Sequence, residues 1–208
     1  MTPDEIYAES FRIIEAEAAG HRYGPEEWPI VRRMIHASGD LDYLRSTVFA
    51  RRAAAEGVEA IRRGVPIVAD VTMVLAGISK PHASALGISL NCFLDDPGVR
   101  ERAASTGLTR TACAMEKAID TVGDAIYVVG NAPTALLRLA DAVQAGRLRP
   151  RLVVAMPVGF VSVEESKGRA LDLPETPVVT VLGRKGGSGV AAAAVNAMLR
   201  LASGEESP

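Results

Sequence analysis

The stretch AIYVVGNAPTALLRLADAVQA, residues 125–145, decides the fold class. It opens with a run of aliphatic and β-branched residues, Ala125–Val129, which predicts a short buried strand. Gly130 then predicts a turn, and Pro133 suits the first turn of a helix that fills the rest of the stretch. A strand that leads through a short turn into a helix is the repeating unit of a parallel sheet with helical crossovers.

The same pattern recurs along the chain. Four further aliphatic runs predict strands, namely Pro66–Ala69, Ile88–Leu94, Leu152–Met156 and Val178–Leu182. Segments of helical composition follow the runs, and they are Val71–Ala76, Pro97–Ser105, Arg110–Val122, Glu164–Ala170 and Ser188–Ala202. We therefore predict a three-layer α/β/α fold of flavodoxin-like type with a five-stranded parallel sheet.

The N-terminal third predicts helices that pack around this sheet. Helical patterns extend from Pro3 to Gly20, from Pro25 to Ala37 and from Arg51 to Arg63. The length of 208 residues favours one domain over residues 1–208, and we expect residues 203–208 to form a disordered tail.

Composition excludes several classes of protein. Hydrophobic residues make up 48% of the chain but aromatic residues only 4%, so the core must be aliphatic. The formal net charge of −2 provides no general attraction to nucleic acid or membrane, so an anionic ligand would need local arginines and lysines. Cys92 and Cys113 lack C-x-x-C spacing, and we expect buried free thiols. The absence of a signal region or a membrane-length apolar run predicts a cytoplasmic protein.

Ligands of open α/β sheets bind beyond the carboxyl ends of the strands, so the turns there are the candidate sites. The turn GRKGGSG, residues 183–189, combines glycines and two cations at a helix start, which can bind an anion; a flexible turn with solvated cations is the alternative. It matches neither a Walker loop nor the dinucleotide fingerprint. The apolar turn PVGFV, residues 157–161, predicts either a pocket floor or a solvated helix start.

His36 is the candidate acid. It lies near the predicted end of the second helix, where the helix dipole favours a cation and would raise its pKa. A capping or surface histidine is the alternative interpretation. His82 follows Pro81 in a predicted loop, no His, Cys or carboxylate cluster has metal-ligand spacing, and no serine lies in a nucleophile elbow.

Six segments together resemble the precorrin-8X methylmutase family over Ile6 to Leu199. They occur in the same order at compatible spacings, and the set is specific although each segment alone is weak. The segments are SFRIIEAE (10–17), RMIHASGD (33–40), DVTMVLAGI (70–78), GNAPTAL (130–136), PVGFV with ESK (157–161 and 165–167), and GRKGGS (183–188).

The resemblance implies a cofactor-free isomerase of corrin-ring biosynthesis. Its reaction would be a 1,5-sigmatropic shift of a methyl group from carbon-11 to carbon-12 of precorrin-8X, which gives hydrogenobyrinic acid. The family's catalytic histidine matches His36, which would protonate the ring and make the migration terminus more electron-poor. The family is a homodimer of flavodoxin-like subunits with the ring bound where the subunits meet.

The resemblance also implies partners for the acetate and propionate arms. Ser10, Ser79 and Arg110 match positions of substrate contact, and Arg110 can grip a carboxylate with its planar fork. Five further residues are candidates with a structural alternative. For Asn131 and Thr134 the alternative is helix capping, which we favour. For the three cations it is a solvated surface charge. The cations are Lys80, Lys167 and Arg184.

Three other functions remain open at this stage. The same migration on a metallated ring would make the chain a cobalt-precorrin-8 methylmutase of the anaerobic route. A non-catalytic corrinoid carrier would bind the ring without turnover, and an intact His36 argues against it. A nucleotide-binding α/β protein is disfavoured because the glycine-rich turn follows the last predicted strand rather than the first.

Overall fold

The computed structural model describes residues 1–205. Of the predicted tail, Ser203 is the last residue of the final helix and Glu205 makes side-chain contacts. Residues 206–208 lie outside the described residues. None of the described helices is long and apolar enough to cross a membrane.

Six strands form one sheet within the described residues. In chain order they are β1 (Thr47–Ala50), β2 (Ile67–Ala69), β3 (Leu90–Asn91), β4 (Ile126–Val129), β5 (Leu152–Ala155) and β6 (Val178–Val181). The strand order is β1-β6-β5-β4-β2-β3. All neighbours are parallel except β1 and β6, which are antiparallel.

Eleven helices surround the sheet in the same part of the chain. They are α1 (Pro3–Glu17), α2 (Trp28–Ser38), α3 (Tyr43–Ser46), α4 (Ala53–Arg62), α5 (Thr72–Gly77), α6 (Lys80–Ala85), α7 (Pro97–Thr106), α8 (Arg110–Val122), α9 (Pro133–Gln144), α10 (Val163–Leu171) and α11 (Ser188–Ser203).

The flavodoxin-like class is confirmed. If the five parallel strands are numbered along the chain, their spatial order is 2-1-3-4-5, which is the flavodoxin-like order. The order reverses between β2 and β4, and this switch point is the usual ligand position of such folds. All five predicted strands exist, and each contains the centre of its predicted aliphatic run.

The prediction of five strands and a purely helical N-terminal third is wrong in one respect. The four residues of β1 pair with β6 in the register Thr47 to Val181. The run has only four residues, because the φ of 55° at Arg51 and Arg52 ends the extended conformation. It is therefore too short to be recognised as a strand from its own sequence. Pairing with β6, far away in sequence, makes it one.

Strand side chains alternate between two cores, as the period of two requires. Ile126 and Val128 pack in one core with α2, α4, α5 and α11. Tyr127 and Val129 pack in the other with α8, α9 and α10. The sheet therefore separates α2 from α8. Of the two cysteines, both free, Cys113 is buried as predicted, whereas Cys92 is half-buried.

Candidate functional site

The His36 ring lies between α2 and α1. It stacks on Phe11 with ring centroids 4.7 Å apart and an interplanar angle of 12°. Tyr7 meets it edge-on at 5.1 Å. The two helices are joined further along by Glu15, which accepts hydrogen bonds from Arg32 at 2.7 Å and from Trp28 at 2.9 Å. The predicted acid is therefore held by aromatic packing on a fixed helix pair.

A cavity of about 350 Å³ opens beside this ring. Ser10 and His36 both line it, so the structure brings these two predicted site residues together. The Ser10 hydroxyl donates to the Ile6 carbonyl at 2.8 Å, which leaves its oxygen lone pairs available. The full lining is Ser10, Ile13, Ile14, Glu17, Ile35, His36, Gly39 and Leu41.

The predicted increase in the pKa of His36 is wrong. Burial lowers the pKa of this imidazole, and the positive charge of Arg33 lowers it further. The helix dipole alone predicts a higher pKa. The sequence does not show that aromatic rings bury His36, or that the charge of Arg33 lies near it. His36 is therefore a neutral imidazole near pH 7 in the free chain.

Arg33 is a candidate site residue that sequence reasoning missed. Its guanidinium lies 5.2 Å from the Tyr7 ring centroid and is half-buried. Burial and nearby Arg200 lower its pKa. Within the described side chains, no carboxylate forms an ion pair with it. The available signal was its position three residues before His36 in RMIHASGD, because residues three apart share a helix face.

The glycine-rich turn after β6 is attached to the end of α2. Lys185 Nζ lies 2.6 Å from both Asp40 Oδ2 and Asp42 Oδ2, which raises its pKa. Gly186 has a φ of 153°, and a Cβ there would lie 2.4 Å from the Met156 carbonyl oxygen. The charge of Lys185 is thus neutralised within the chain. Gly186 is required because the backbone of the turn packs closely against Met156.

Lys167 is buried, with only 2% of its surface exposed, so the alternative of a solvated surface lysine is wrong. Its ammonium donates to the carbonyls of Gly183 at 2.8 Å and Lys185 at 2.6 Å. Burial lowers its pKa to about 8. In this structure Lys167 holds the glycine-rich turn in place.

The switch point between β2 and β4 is filled by a buried carboxylate. Asp70 accepts backbone N–H groups from Gly130 at 2.9 Å, Asn131 at 2.9 Å and Ala132 at 2.7 Å. Burial raises the pKa of Asp70, and these bonds partly oppose the increase. Asp70 therefore occupies the cradle in which an anion would otherwise bind.

This arrangement corrects the preferred capping role of Asn131 and Thr134. The N-cap residue of α9 is Ala132, which has no side-chain acceptor, so this helix has no side-chain cap. Thr134 instead shares a hydroxyl hydrogen bond of 2.8 Å with Thr109. Asn131 is exposed and follows the carboxyl end of β4.

Arg110 begins α8, on the other side of the sheet from His36. Its guanidinium donates to the Leu94 carbonyl at 3.3 Å and lies 3.2 Å from Asp95 Oδ1. Its side chain is 48% exposed, so the fork is only partly engaged and faces solvent. Within one chain, Arg110 and His36 do not meet.

The remaining candidates lie in two further places. Ser79 precedes α6, where its hydroxyl is 2.7 Å from His82 Nδ1, and Lys80 beside it is exposed. The prediction of a loop around His82 is wrong, because Pro81 occupies an early helical position that tolerates it. Arg184 lies 5.3 Å above the Phe160 ring.

Phe160 gives the turn after β5 an apolar surface. Phe160 and Val161 are 83% and 82% exposed, although both are large and apolar. Arg184 also lies 3.4 Å from Glu164, so the cation sits between a ring and a carboxylate. Across residues 1–205, no group of three or more His, Cys, Asp or Glu side chains is arranged to hold a metal ion.

Comparisons with known proteins agree on one family. The family model described as precorrin-8X methylmutase matches residues 5–201. A cobalt-precorrin-8 methylmutase from Leptospira interrogans is 40% identical, covering 95% of this chain and 93% of the relative. One from Priestia megaterium is 42% identical, covering 97% and 89%.

A solved structure agrees as well. The crystal structure described as precorrin-8X methyl mutase from Thermus thermophilus superposes with a TM-score of 0.88 at 40% identity. The match covers 96% of this chain and 98% of that one.

Proposed function

This chain belongs to the precorrin-8X methylmutase family, and we propose that it moves the methyl group at carbon-11 of precorrin-8X to carbon-12, which gives hydrogenobyrinic acid. The family assignment makes the protein a methyl-shifting isomerase of cobalamin biosynthesis. The observation that carries the detailed proposal is the His36 imidazole, which is fixed by two aromatic rings at the edge of a cavity with the Ser10 hydroxyl.

A 1,5-sigmatropic shift makes and breaks carbon bonds within one π system, so the protein need not supply a nucleophile. His36 donates a proton to the conjugated ring, which makes carbon-12 more electron-poor and draws the migrating methyl group. After migration the ring returns this proton to the imidazole, so the substrate and product have the same composition. A positioned acid of this kind contributes about 10²- to 10⁴-fold to a rate.

Because His36 is neutral in the free chain, it takes up this proton from solvent when the substrate binds. The carboxylate arms of the substrate supply the necessary field, because a nearby negative charge raises the pKa of an imidazole. A carboxylate on Arg33 also screens the positive charge that lowers the pKa of His36. Substrate binding thus charges the acid, and the free enzyme holds it neutral.

The carboxylate arms need several donors, and one chain offers them on separated surfaces. Arg33 lies beside His36, whereas Arg110 lies across the sheet and Asn131 lies at the carboxyl end of β4. Ser10 lies beside His36 as an acceptor, because its proton is donated to the Ile6 carbonyl. A second copy that presents its Arg110 side to the His36 side of the first completes the site. We therefore infer a homodimer with the macrocycle bound at the subunit interface.

The exposed apolar turn after β5 fits the same binding mode. Phe160 and Val161 provide an apolar surface for the macrocycle, and Arg184 beside Phe160 provides a cation for a peripheral carboxylate. Ser79 and Lys80 provide a hydroxyl and an ammonium near the start of α6. Lys167 acts through the glycine-rich turn. We place the reaction in the cytoplasm and assign no organic cofactor.

A second substrate form has a specific observation in its favour. Relatives at 40% and 42% identity are named cobalt-precorrin-8 methylmutase, and a structure at 40% identity is named precorrin-8X methyl mutase. The two forms differ by a metal that arrives with the substrate, so the same residues serve both.

Incubation of the purified protein with each ring form tests the proposed function. We expect the absorption spectrum of precorrin-8X to change to that of hydrogenobyrinic acid, with the identity of the product settled by NMR of the migrated methyl group. Faster conversion of the cobalt ring would assign the anaerobic substrate instead. Tight binding of either ring without conversion would identify a corrinoid carrier and overturn the proposal.

A further inference from the structure

A second histidine, His82, forms a line of polar contacts outside the His36 cavity. Its Nδ1 lies 2.7 Å from Ser79 Oγ, and its Nε2 lies 3.2 Å from both carboxylate oxygens of Glu205. Glu205 in turn pairs with Arg200 at 3.3 Å. The Ser79 hydroxyl is therefore one end of a connected network that runs from α6 to the end of α11.

The backbone of Ser79 is fixed independently of this network. Its N–H donates to Asn196 Oδ1 at 2.7 Å, and Asn196 Nδ2 donates to the Gly77 carbonyl at 2.8 Å. Ser79 is also the N-cap residue of α6, where a serine hydroxyl ordinarily accepts a backbone N–H. In this structure the hydroxyl makes no such bond and contacts His82 instead. The main chain of Ser79 is thus held by Asn196, far away in sequence, and its side chain by His82, which in turn contacts Glu205.

The contacts of His82 determine what the Ser79 hydroxyl can do. A carboxylate only accepts hydrogen bonds, so the Nε2 that faces Glu205 carries a proton. In a neutral ring Nδ1 is then bare and accepts the Ser79 proton, which leaves Ser79 no proton for another acceptor. In a doubly protonated ring Nδ1 donates to Ser79 Oγ, and the serine proton is free to bind a carboxylate.

We propose that His82 is a positioning residue that, together with Glu205, directs the Ser79 hydroxyl to donate to a carboxylate arm of the substrate. The proposal rests on the proposed function, in which Ser79 meets the macrocycle. In this role Nε2–H pairs with Glu205 and Nδ1–H donates to Ser79 Oγ, and no covalent bond forms or breaks. The charged groups around the ring are Glu205, which pairs with it, Arg200 beyond Glu205, and Lys80 on the same helix.

Two substitutions of His82 test the two ring nitrogens separately. In His82→Asn the amide nitrogen takes the place of Nδ1 and still donates to Ser79, whereas in His82→Gln it takes the place of Nε2 and reaches only Glu205. We expect His82→Gln to weaken the Kd for hydrogenobyrinic acid about tenfold, the worth of one hydrogen bond to a charged group, and to change kcat less than about twofold. His82→Asn should keep the Kd within about twofold of wild type.

Controls make each outcome decisive. Ser84→Ala removes an exposed hydroxyl from the same helix and should leave the Kd unchanged. Glu205→Gln, at a side chain that is 45% exposed, should weaken the Kd even if His82→Gln fails to fold. Equal Kd values for the Asn and Gln variants, with Ser79→Ala weakening binding, would overturn only the role of His82. An unchanged Kd in Ser79→Ala would instead overturn the substrate contact of Ser79 and, with it, the role of His82.

Discussion

The His36 imidazole is shaped by two influences that act in the same direction. Burial against Phe11 and Tyr7 removes water from the ring, and Arg33 adds a positive charge nearby. Both disfavour the imidazolium and lower the pKa of His36, the proposed acid. We therefore expect protonation of His36 to depend on the arrival of a negatively charged substrate.

Arg33→Gln provides a direct test of this electrostatic coupling. We expect the pKa of His36 to rise, because removal of a like charge favours the protonated ring, while the remaining burial keeps the pKa below that of an exposed histidine. Arg33→Lys preserves the charge and serves as the matched control. An NMR titration of the imidazole protons measures the change. An unchanged or lower pKa in Arg33→Gln would contradict the role given to Arg33.

Some site residues can be predicted from local sequence, and others depend on contacts between distant segments. Ser10 and His36 were predicted from their motifs and line one cavity. Lys167 was predicted as a ligand with a solvated cation as the alternative, but it binds carbonyls of a turn sixteen and eighteen residues away. Its burial depends on packing between separate elements, which neither spacing nor composition expresses.

At the scale of elements, the repeated strand–turn–helix pattern was predictable because continuous aliphatic runs are required where both faces of a sheet are covered. The β1 strand was not, since its four residues acquire their conformation from pairing with β6. The α6 helix was missed because Pro81 suggested a break, although proline is compatible with a first helical turn. Local sequence patterns thus identify the elements whose conformation is determined by their own residues.

The glycine-rich turn after β6 makes a testable claim about packing. Gly186→Ala should lower the free energy of unfolding by about 3 kcal/mol or more, because the new Cβ meets backbone atoms in a backbone region unfavourable for alanine. Gly189→Ala, in α11 with open space around it, should instead raise stability by up to about 1 kcal/mol. Urea unfolding measures both. Equal effects at the two positions would show that the turn is not closely packed.

Lys167 predicts a pH dependence for the same turn. Folding lowers its pKa from 10.5 to about 8, so its contribution to stability is present above the unfolded value and is lost as the pH falls through the folded value. The wild type should therefore gain stability relative to Lys167→Met between about pH 8 and about pH 10.5. Unfolding curves of both proteins at each end of this window measure the difference. A difference in the free energy of unfolding that stays constant between these pH values would contradict the lowered pKa of Lys167.

At the scale of the whole molecule, the sheet places His36 and Arg110 in different layers. A shared site at a dimer interface predicts that inactive variants complement each other. After subunit exchange, an equal mixture of His36→Ala and Arg110→Ala contains about half mixed dimers, each with one intact site, so it should recover about a quarter of wild-type activity. The assay is run at low substrate concentration. Mixed dimers that form but remain inactive would contradict the shared site.

The most direct measurement of the proposed chemistry is single-turnover conversion of precorrin-8X by His36→Ala beside the wild type. In the proposed mechanism the proton serves migration rather than docking, so we expect the variant to bind the macrocycle with nearly unchanged affinity and to lose at least about a hundredfold in rate. A variant that converts the ring at a rate near that of the wild type would contradict the assignment of His36 as the acid.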